Sequence, residues 1–221
     1  MHIPDGFLSA PVTVATAVTG IAAVSIAFQK VRGELGPAHV PLVGTTAAFV
    51  FAAQMINIPV AAGTSGHFLG ATLATVLLGP SAAIVVMTLV VAIQALLFAD
   101  GGVLALGANI LNMAVVPPLV TVAILRIAGT SGFGRSVPLP ALSAFAGWVS
   151  VFIASGLCAT QVALSGRAPW GLVMPAMLGW HVLIGLIEAA ITASVISTVA
   201  AIRPDLIPDS RPGAVDAWVT P

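Results

Sequence analysis

The fold is decided by residues 67–99, which read HFLGATLATVLLGPSAAIVVMTLVVAIQALLFA and can form either one membrane-spanning helix or two shorter helices. Almost every residue is apolar, but Gly79-Pro80 divides the run. Proline removes a helix hydrogen bond and disfavours helix in the residue before it. We therefore predict a short helix over residues 66–78 and a second helix over residues 80–98.

Composition sets the class of protein. Hydrophobic residues make up 59% of the chain and charged residues only 6%, whereas soluble domains contain about 25% charged residues. The mean hydropathy is +1.13, so the chain is predicted to be an integral membrane protein. Its formal net charge of zero gives no electrostatic footprint for nucleic acid. The one cysteine, Cys158, cannot form an internal disulfide.

Five further apolar runs flank the divided segment and predict the rest of the bundle. Together they indicate an all-α, polytopic bundle of seven transmembrane helices in a single domain, residues 1–202, with a short cytoplasmic tail at 203–221. A kink is expected at Pro117-Pro118. The five runs cover residues 11–28, 41–58, 103–127, 140–163 and 171–202.

The basic residues favour seven helices over six, because cytoplasmic loops of membrane proteins carry an excess of Lys and Arg. With seven helices and the N-terminus outside, only Arg167 falls outside. The six on the cytoplasmic side are Lys30, Arg32, Arg126, Arg135, Arg203 and Arg211. With one helix over 67–99, the division would be three against four. We therefore predict an external N-terminus and a cytoplasmic C-terminus in the cell membrane. Residues 67–78 are too few to cross a bilayer and should lie within the bundle.

The opening residues, Met1-His2-Ile3-Pro4-Asp5-Gly6-Phe7-Leu8-Ser9, offer three nitrogens to one metal ion. The terminal amine and the His2 backbone amide would close a five-membered ring on the metal, and the amide and imidazole Nδ1 a six-membered ring. Square-planar nitrogen sites suit divalent nickel and copper, and His67 could supply the fourth nitrogen. No cleavable signal is visible, so we expect the mature chain to keep Met1. The alternative is a frayed terminus without a role.

The predicted topology places these opening residues and the loop before His67 on the same side. Pro4-Asp5-Gly6 indicates a turn, so residues 1–9 could fold back between the helices. Asp5 is then a candidate for orienting the ligands. Ser65 is predicted to be the N-cap of the helix that carries His67, and it is a further candidate for orienting the ligands.

Polar residues inside the apolar runs are expensive in a membrane and therefore candidates for function. Asn109 and Asn112 are three residues apart, on one helix face. They could hydrogen-bond neighbouring helices as packing contacts, or they could orient the ligands of the metal site. His39 lies beside prolines at the cytoplasmic edge and is expected to be an interface residue.

His181 and Glu188 are seven residues apart and share one helix face. They could pair with each other, orient the metal site or respond to the movement of a partner subunit. His181 lies about ten residues, ~15 Å, below the predicted outer end of its helix, and this depth argues against direct ligation.

Four stretches together are similar to one known family: residues 1–9, 63–70 (GTSGHFLG), 107–113 (GANILNM) and 184–192 (IGLIEAAIT). They resemble the CbiM/NikM proteins, the substrate-binding S components of energy-coupling factor (ECF) importers for cobalt and nickel. The resemblance covers nearly the whole chain. It implies a seven-helix bundle with the N-terminal segment inserted from outside. It also implies a square-planar site made by the Met1 amine, the His2 amide and imidazole, and His67.

The same resemblance implies partners: a transmembrane coupling subunit, two ATPase subunits and, in many systems, a small accessory membrane protein. The chain has no Gly-x-x-x-x-Gly-Lys-[Ser/Thr] loop, so it is expected to be a transport subunit, not an enzyme, with ATP hydrolysis supplied by the partners. No cofactor is expected, and Ni²⁺ or Co²⁺ would be the substrate. A nitrogen-only square plane leans towards nickel, while cobalt uptake for cobalamin synthesis stays open.

Small residues four apart let helices approach closely, and two such pairs are candidates for docking a partner: Ala23 with Ala27, and Ala48 with Ala52. Ordinary packing within the bundle is the alternative explanation for either pair.

Two other classes of function fit parts of the sequence. Gly63-Thr64-Ser65-Gly66 resembles the nucleophile motif of intramembrane serine proteases, with His181 as a candidate base, but a four-residue match needs structural context. A self-sufficient ion-coupled transporter would carry carboxylates near the membrane midplane, and Glu188 is the one clear candidate.

Overall fold

Helices dominate the fold because a chain within a bilayer must satisfy its backbone hydrogen bonds internally. The computed structural model describes residues 1–34, 36, 39–60, 64–131 and 136–207, and these form seven helices and one short hairpin. The elements in chain order are α1 (Ala10–Glu34), α2 (Val40–Gln54), β1 (Ile58–Val60), β2 (Thr64–Gly66), α3 (Ala71–Leu78), α4 (Pro80–Leu97), α5 (Leu106–Thr130), α6 (Leu139–Leu164) and α7 (Trp170–Ile202).

The predicted seven-helix membrane bundle is confirmed. Within the described residues, α1, α4, α5, α6 and α7 are each long and apolar enough to cross a bilayer. Helix α2 is a shorter apolar helix of 15 residues, and α3 has only 8 residues. The longest helices, α6 and α7, follow one another in the chain and pack against each other. The predicted tail is described only as far as Ile207.

The division of residues 67–99 into two helices is confirmed. Helix α3 ends at Leu78, and Pro80 is the first residue of α4. Gly79 joins the two helices with a φ of +80°, a left-handed conformation that glycine adopts without a steric penalty.

The predicted start of the short helix at residue 66 is wrong. Helix α3 begins at Ala71, with Gly70 at its N-cap position in a left-handed conformation, φ +75°. A Cβ at Gly70 would lie 2.8 Å from atoms of the Phe68 and Val50 side chains, so the chain turns tightly there before the helix starts. His67 therefore lies on an extended connection, and Ser65, which belongs to β2, is not the N-cap.

The distortion predicted at Pro117-Pro118 lies one turn earlier. Residues Leu111–Val115 form a π-helical turn within α5, and the two prolines follow at the first positions of the regular helix. Proline cannot donate a hydrogen bond and its ring clashes with a carbonyl of the preceding turn. The wider π turn accommodates both effects without interrupting the helix.

Charged residues separate the two ends of the bundle. The site end is defined here by residues 1–9, the hairpin β1–β2 and residues 98–105. Helices α1, α5 and α7 start at this end, so Lys30, Arg32, Arg126 and Arg203, near the ends of these helices, lie at the opposite end. Arg167, between α6 and α7, lies at the site end. Arg135 and Arg211 lie outside the described residues.

Candidate metal centre

The N-terminal segment is inserted into the bundle. Met1 and Ile3 are completely buried and belong to the main hydrophobic core, and His2 is only 3% exposed. Cys158 of α6 contacts the Met1 carbonyl oxygen through its Sγ at 3.8 Å. The alternative of a frayed terminus is therefore wrong for this fold.

Asn109 holds the segment by pairing with the backbone of Ile3. Its Oδ1 accepts a hydrogen bond from the Ile3 amide at 2.8 Å, and its Nδ2 donates to the Ile3 carbonyl oxygen at 3.0 Å. The Gly102 amide donates to the same carbonyl at 2.9 Å. The residue after His2 is thus fixed on both sides, so the direction of the His2 backbone is fixed as well.

Asp5 fixes the other end of the segment against the start of α5. Its carboxylate accepts hydrogen bonds from the successive amides of Val103, Leu104 and Ala105 at 3.1, 2.8 and 3.3 Å. A helix start leaves such amides without intrahelical partners, and a negative charge there is favourable. A Cβ at Gly102 would overlap this carboxylate, which explains why glycine precedes the capped amides.

The imidazole of His2, at the start of the N-terminal segment, lies beside the imidazole of His67. The ring centroids of His2 and His67 lie 4.8 Å apart, with an angle of 32° between the planes. His67 Nδ1 lies 2.7 Å from the Phe68 carbonyl oxygen; a carbonyl can only accept, so Nδ1 carries the proton. His67 Nε2 and both ring nitrogens of His2 are buried and have no hydrogen-bond partner among the described residues.

Burial keeps these groups in the neutral form that metals bind. It lowers the pKa of the Met1 amine to about 6 and that of the His2 imidazole to about 3. Burial, followed by the nearby amine, also lowers the pKa of His67 well below its usual range. Because a charged group is unfavourable in such a site, the two imidazoles and most of the amine are unprotonated at pH 7.

The connection that carries His67 is held by side chains from other helices. Glu188 of α7 accepts hydrogen bonds from the Leu69 amide at 2.7 Å and from the Gly70 amide at 3.0 and 3.1 Å. Gln54 of α2 donates to the Leu69 carbonyl oxygen at 2.6 Å, and Gln94 of α4 donates to Gln54 at 2.9 Å. All three side chains are fully buried. The sequence pattern did not indicate this positioning role for Gln54 or Gln94.

His181 and Glu188 do not pair with each other. His181 Nδ1 bonds the Met177 carbonyl oxygen one turn earlier, at 2.7 Å, while Glu188 bonds the His67 connection. His181 nevertheless lies close enough to His67 to disfavour its protonation, and so contributes to its lowered pKa after burial, the amine and His2. These contacts of Glu188 fit the alternative in which it orients the metal site, because they hold the connection that carries His67.

Asn112 has a different environment from Asn109. It exchanges two hydrogen bonds of 2.8 Å with Gln161 of α6. Asn112 therefore makes a packing contact between two helices, the first of the two alternatives predicted for it. His39 lies exposed at the opposite end, at the start of α2. Ser65 lies in β2, and its side chain is outside the described set.

The donors brought together differ from a conventional metal cluster. Within the described part of the chain, no three His, Cys, Asp or Glu side chains converge on one point that could hold a metal. The groups that lie close together are instead the imidazoles of His2 and His67 and the N-terminal amine. A metal ion at this position would therefore need main-chain nitrogen as well as side-chain nitrogen.

Comparisons with known proteins identify the family of the chain. Residues 2–206 match the family described as CbiM, cobalt uptake substrate-specific transmembrane region. A relative from Haloquadratum walsbyi, named for metal transport, is 41% identical over 209 residues, covering 94% of this chain and 93% of the relative. The fused nickel transport protein NikMN of Rhodobacter capsulatus is 37% identical, covering 96% of this chain and 65% of that longer protein.

A solved structure shows the same fold. The crystal structure of a truncated transition metal transporter superposes with a TM-score of 0.84 at 33% sequence identity, covering 91% of this chain and 99% of that one. The bundle, the inserted N-terminal segment and the family match therefore lead to one conclusion. The chain belongs to the CbiM family of multi-pass membrane proteins for cobalt and nickel uptake.

Proposed function

We propose that this protein captures a divalent metal ion in a square-planar site of four nitrogens. The donors are the Met1 amine, the His2 backbone amide, His2 Nδ1 and His67 Nε2. The observation that carries the proposal is the meeting of His2 and His67 at 4.8 Å, with unpartnered ring nitrogens, beside a buried N-terminus. Solvent is excluded from this position, so its neutral nitrogens are not in competition with water.

Nickel is the proposed substrate. A deprotonated amide and three further nitrogens favour a square plane, which suits Ni²⁺ better than Co²⁺. The name of the Rhodobacter relative supports nickel, whereas the family description supports cobalt. Cobalt uptake, for example for cobalamin synthesis, is thus the alternative. Measuring the affinity of the protein for Ni²⁺ and for Co²⁺ distinguishes the two.

The protein is proposed to act as the S component of an ATP-driven ECF importer. Its partners would be a transmembrane coupling subunit, two ATPase subunits and a small accessory membrane subunit. It would lie in the cell membrane with the N-terminus outside and the C-terminus in the cytoplasm. The basic residues near the far ends of α1, α5 and α7 support this orientation.

The other two classes receive no support from the site. Glu188, the candidate carboxylate for an ion pathway, is bonded to the amides of Leu69 and Gly70. His181, the candidate base, uses its Nδ1 in a contact with the Met177 carbonyl oxygen of its own helix. A transporter that depends on partners is expected to show no ATP-driven uptake by itself in vesicles, and uptake when the coupling and ATPase subunits are added.

The experiment that tests the site is a nickel titration of the purified protein and of His2→Ala, His67→Ala and His39→Ala. One Ni²⁺ per chain is expected for the unaltered protein. Both site variants should lose tight binding because each leaves the square plane one imidazole short. His39→Ala is the matched control, since this exposed histidine lies at the opposite end. Unchanged affinity in either site variant would refute the proposed ligand set.

A further inference from the structure

His2 poses a problem that the four-nitrogen site alone does not solve. Both of its ring nitrogens are buried without a hydrogen-bond partner among the described residues. The chelate ring with the His2 amide uses Nδ1, so Nε2 must carry the ring proton. A buried N–H without an acceptor is costly, and buried polar groups nearly always have a partner. An acceptor for Nε2 should therefore lie nearby.

Asp100 occupies that position. Its Oδ2 lies 3.7 Å from His2 Nε2. This separation is longer than a hydrogen bond, but a movement of less than about 1 Å would close it to hydrogen-bonding distance. The other carboxylates near the site, Asp5 and Glu188, are bonded to backbone amides. Among the described residues, Asp100 is thus the carboxylate available to His2.

The turn after α4 is built to bring Asp100 to this point. Ala99 has a φ of +54° and is the one non-glycine residue with positive φ in the described chain. Gly101 has a φ of +94°, and a Cβ there would lie 3.0 Å from His2 Nδ1. Asn57 donates to the same oxygen, Oδ2, at 3.2 Å. Strained backbone of this kind persists only where surrounding contacts hold it, and it clusters at functional sites.

Charge gives a second reason for a carboxylate here. A divalent ion bound to one deprotonated amide and three neutral nitrogens would carry one net positive charge. Such a charge in a buried site is unfavourable unless it is paired. Asp100 is only partly buried, with 19% of its side chain exposed, and it already acts electrostatically on the Met1 amine. Its negative charge would make the loaded site neutral.

We propose that Asp100 is a positioning residue for the metal site. It accepts a hydrogen bond from the protonated Nε2 of His2, leaves Nδ1 as the ligand and balances the charge of the bound ion. This inference rests on the proposed function, because it acts through His2. Histidine ligands commonly donate their second ring nitrogen to a carboxylate, and losing that partner typically weakens metal binding about 10- to 100-fold.

Two measurements test the proposal. The first is the nitrogen-15 spectrum of histidine-labelled, metal-free protein, in which ring shifts distinguish the two neutral forms and His2→Ala identifies the His2 signals. The unaltered protein should show His2 protonated at Nε2. Asp100→Ala should lose this preference, and Asp100→Asn, whose amide oxygen can still accept, should keep it.

The second measurement is a nickel titration of the same variants. Asp100→Ala should bind Ni²⁺ about 10- to 100-fold more weakly, and Asp100→Asn should fall between it and the unaltered protein because it loses the charge alone. Asp205→Asn, an exposed carboxylate at the opposite end, should bind like the unaltered protein. If Asp100→Ala does not fold, Asp100→Asn and the spectrum of the unaltered protein carry the test.

Protonation of His2 at Nδ1 in the unaltered protein, or full nickel affinity in Asp100→Ala, would overturn the role of Asp100. Failure of the proposed function gives a different pattern. In that case His2→Ala or His67→Ala would keep tight nickel binding, while the ring-nitrogen spectrum of His2 would still report whether Asp100 is its acceptor.

Discussion

The imidazoles of His2 and His67 lie 4.8 Å apart, although His2 belongs to the chain terminus and His67 to the connection between β2 and α3. Each is held by a different set of contacts. Asn109 and Asp5 fix the terminus, and Glu188 fixes the His67 connection. The relative position of the two rings is therefore a property of the whole bundle, and its supports can be removed one at a time.

Replacing Glu188 should affect the site through His67. Glu188→Leu removes both acceptor oxygens, so the buried amides of Leu69 and Gly70 lose their side-chain partner. A buried amide without an acceptor costs about 1–3 kcal/mol. Nickel affinity and thermal stability should both fall in a titration and a melting curve. Thr192→Val is the control, because Thr192 is buried on the same helix face without a hydrogen-bond partner for its hydroxyl among the described residues. Equal nickel affinities for the two variants would contradict the role of Glu188.

The two asparagines of α5 should separate binding from stability. Asn109→Leu removes both hydrogen bonds to Ile3 and should release the N-terminal segment, so nickel affinity should fall more than tenfold, given about 1 kcal/mol per hydrogen bond. Asn112→Leu breaks the pair with Gln161, and its main effect should be a lower melting temperature. Titration and melting of both variants check this. The expectation fails if Asn112→Leu loses as much nickel affinity as Asn109→Leu.

The pH dependence of binding should follow the amine. Burial lowers the pKa of Met1 to about 6, whereas that of His2 lies at about 3. Nickel binding displaces the amide proton at every pH, so the logarithm of the affinity should fall by about one per pH unit above pH 6. Below pH 6 the amine is protonated too, and the slope should rise to about two. Titrations from pH 8 to pH 5 measure the slope.

A different result would point to other ligands. If ordinary histidine pKa values near 6.5 governed binding, the slope would steepen near that pH and by more than one proton. An affinity independent of pH over this range would exclude an amide ligand.

The two small-residue pairs should respond differently to bulky replacement. Ala48 and Ala52 are exposed on α2, whereas Ala27 is buried and Ala23 half-buried beside Ile84 of α4. If α2 docks a partner, Ala48→Leu with Ala52→Leu should block uptake by the complete importer and leave nickel binding unchanged. Leucines at 23 and 27 should lower stability instead. Normal uptake with leucines at 48 and 52 would exclude this face as the docking surface.

Much of the fold could be predicted because membrane insertion leaves strong signals. Apolar runs, Gly79-Pro80 and the asymmetry of the basic residues were enough for a bundle of seven helices. The meeting of the N-terminus and the loop before His67 followed from the topology. Chelate chemistry then singled out His2 and His67 as candidates, before any contact between them was known.

The remaining features depend on tertiary contacts that a sequence pattern does not encode. Helix α3 begins only at Ala71, after the left-handed Gly70, and a Cβ at Gly70 would lie 2.8 Å from Phe68 and from Val50 of α2. Three-residue strands are too short to show a periodic pattern. Asp100 reads as an ordinary turn residue, because its approach to His2 depends on the unusual φ of Ala99. The spacing of His181 and Glu188 indicated a shared face but not which groups lie opposite it.

In the proposed site the chain terminus itself binds the metal, and its position can be changed without changing any side chain. One residue added before Met1 converts the Met1 amine to a peptide nitrogen and makes His2 third in the chain. A terminus of that form can fill a square plane with its own amine, two amides and imidazole. It would then displace His67, so some metal binding could persist without transport.

The most direct measurement is nickel titration and nickel uptake for three versions of the protein: the unaltered start, a one-residue N-terminal extension and a C-terminal tag. The tagged protein should bind and take up nickel normally. The extended protein should lose uptake, and its nickel binding should no longer respond to His67→Ala. Uptake by the extended protein equal to that of the unaltered one would remove the Met1 amine from the site and contradict the claim.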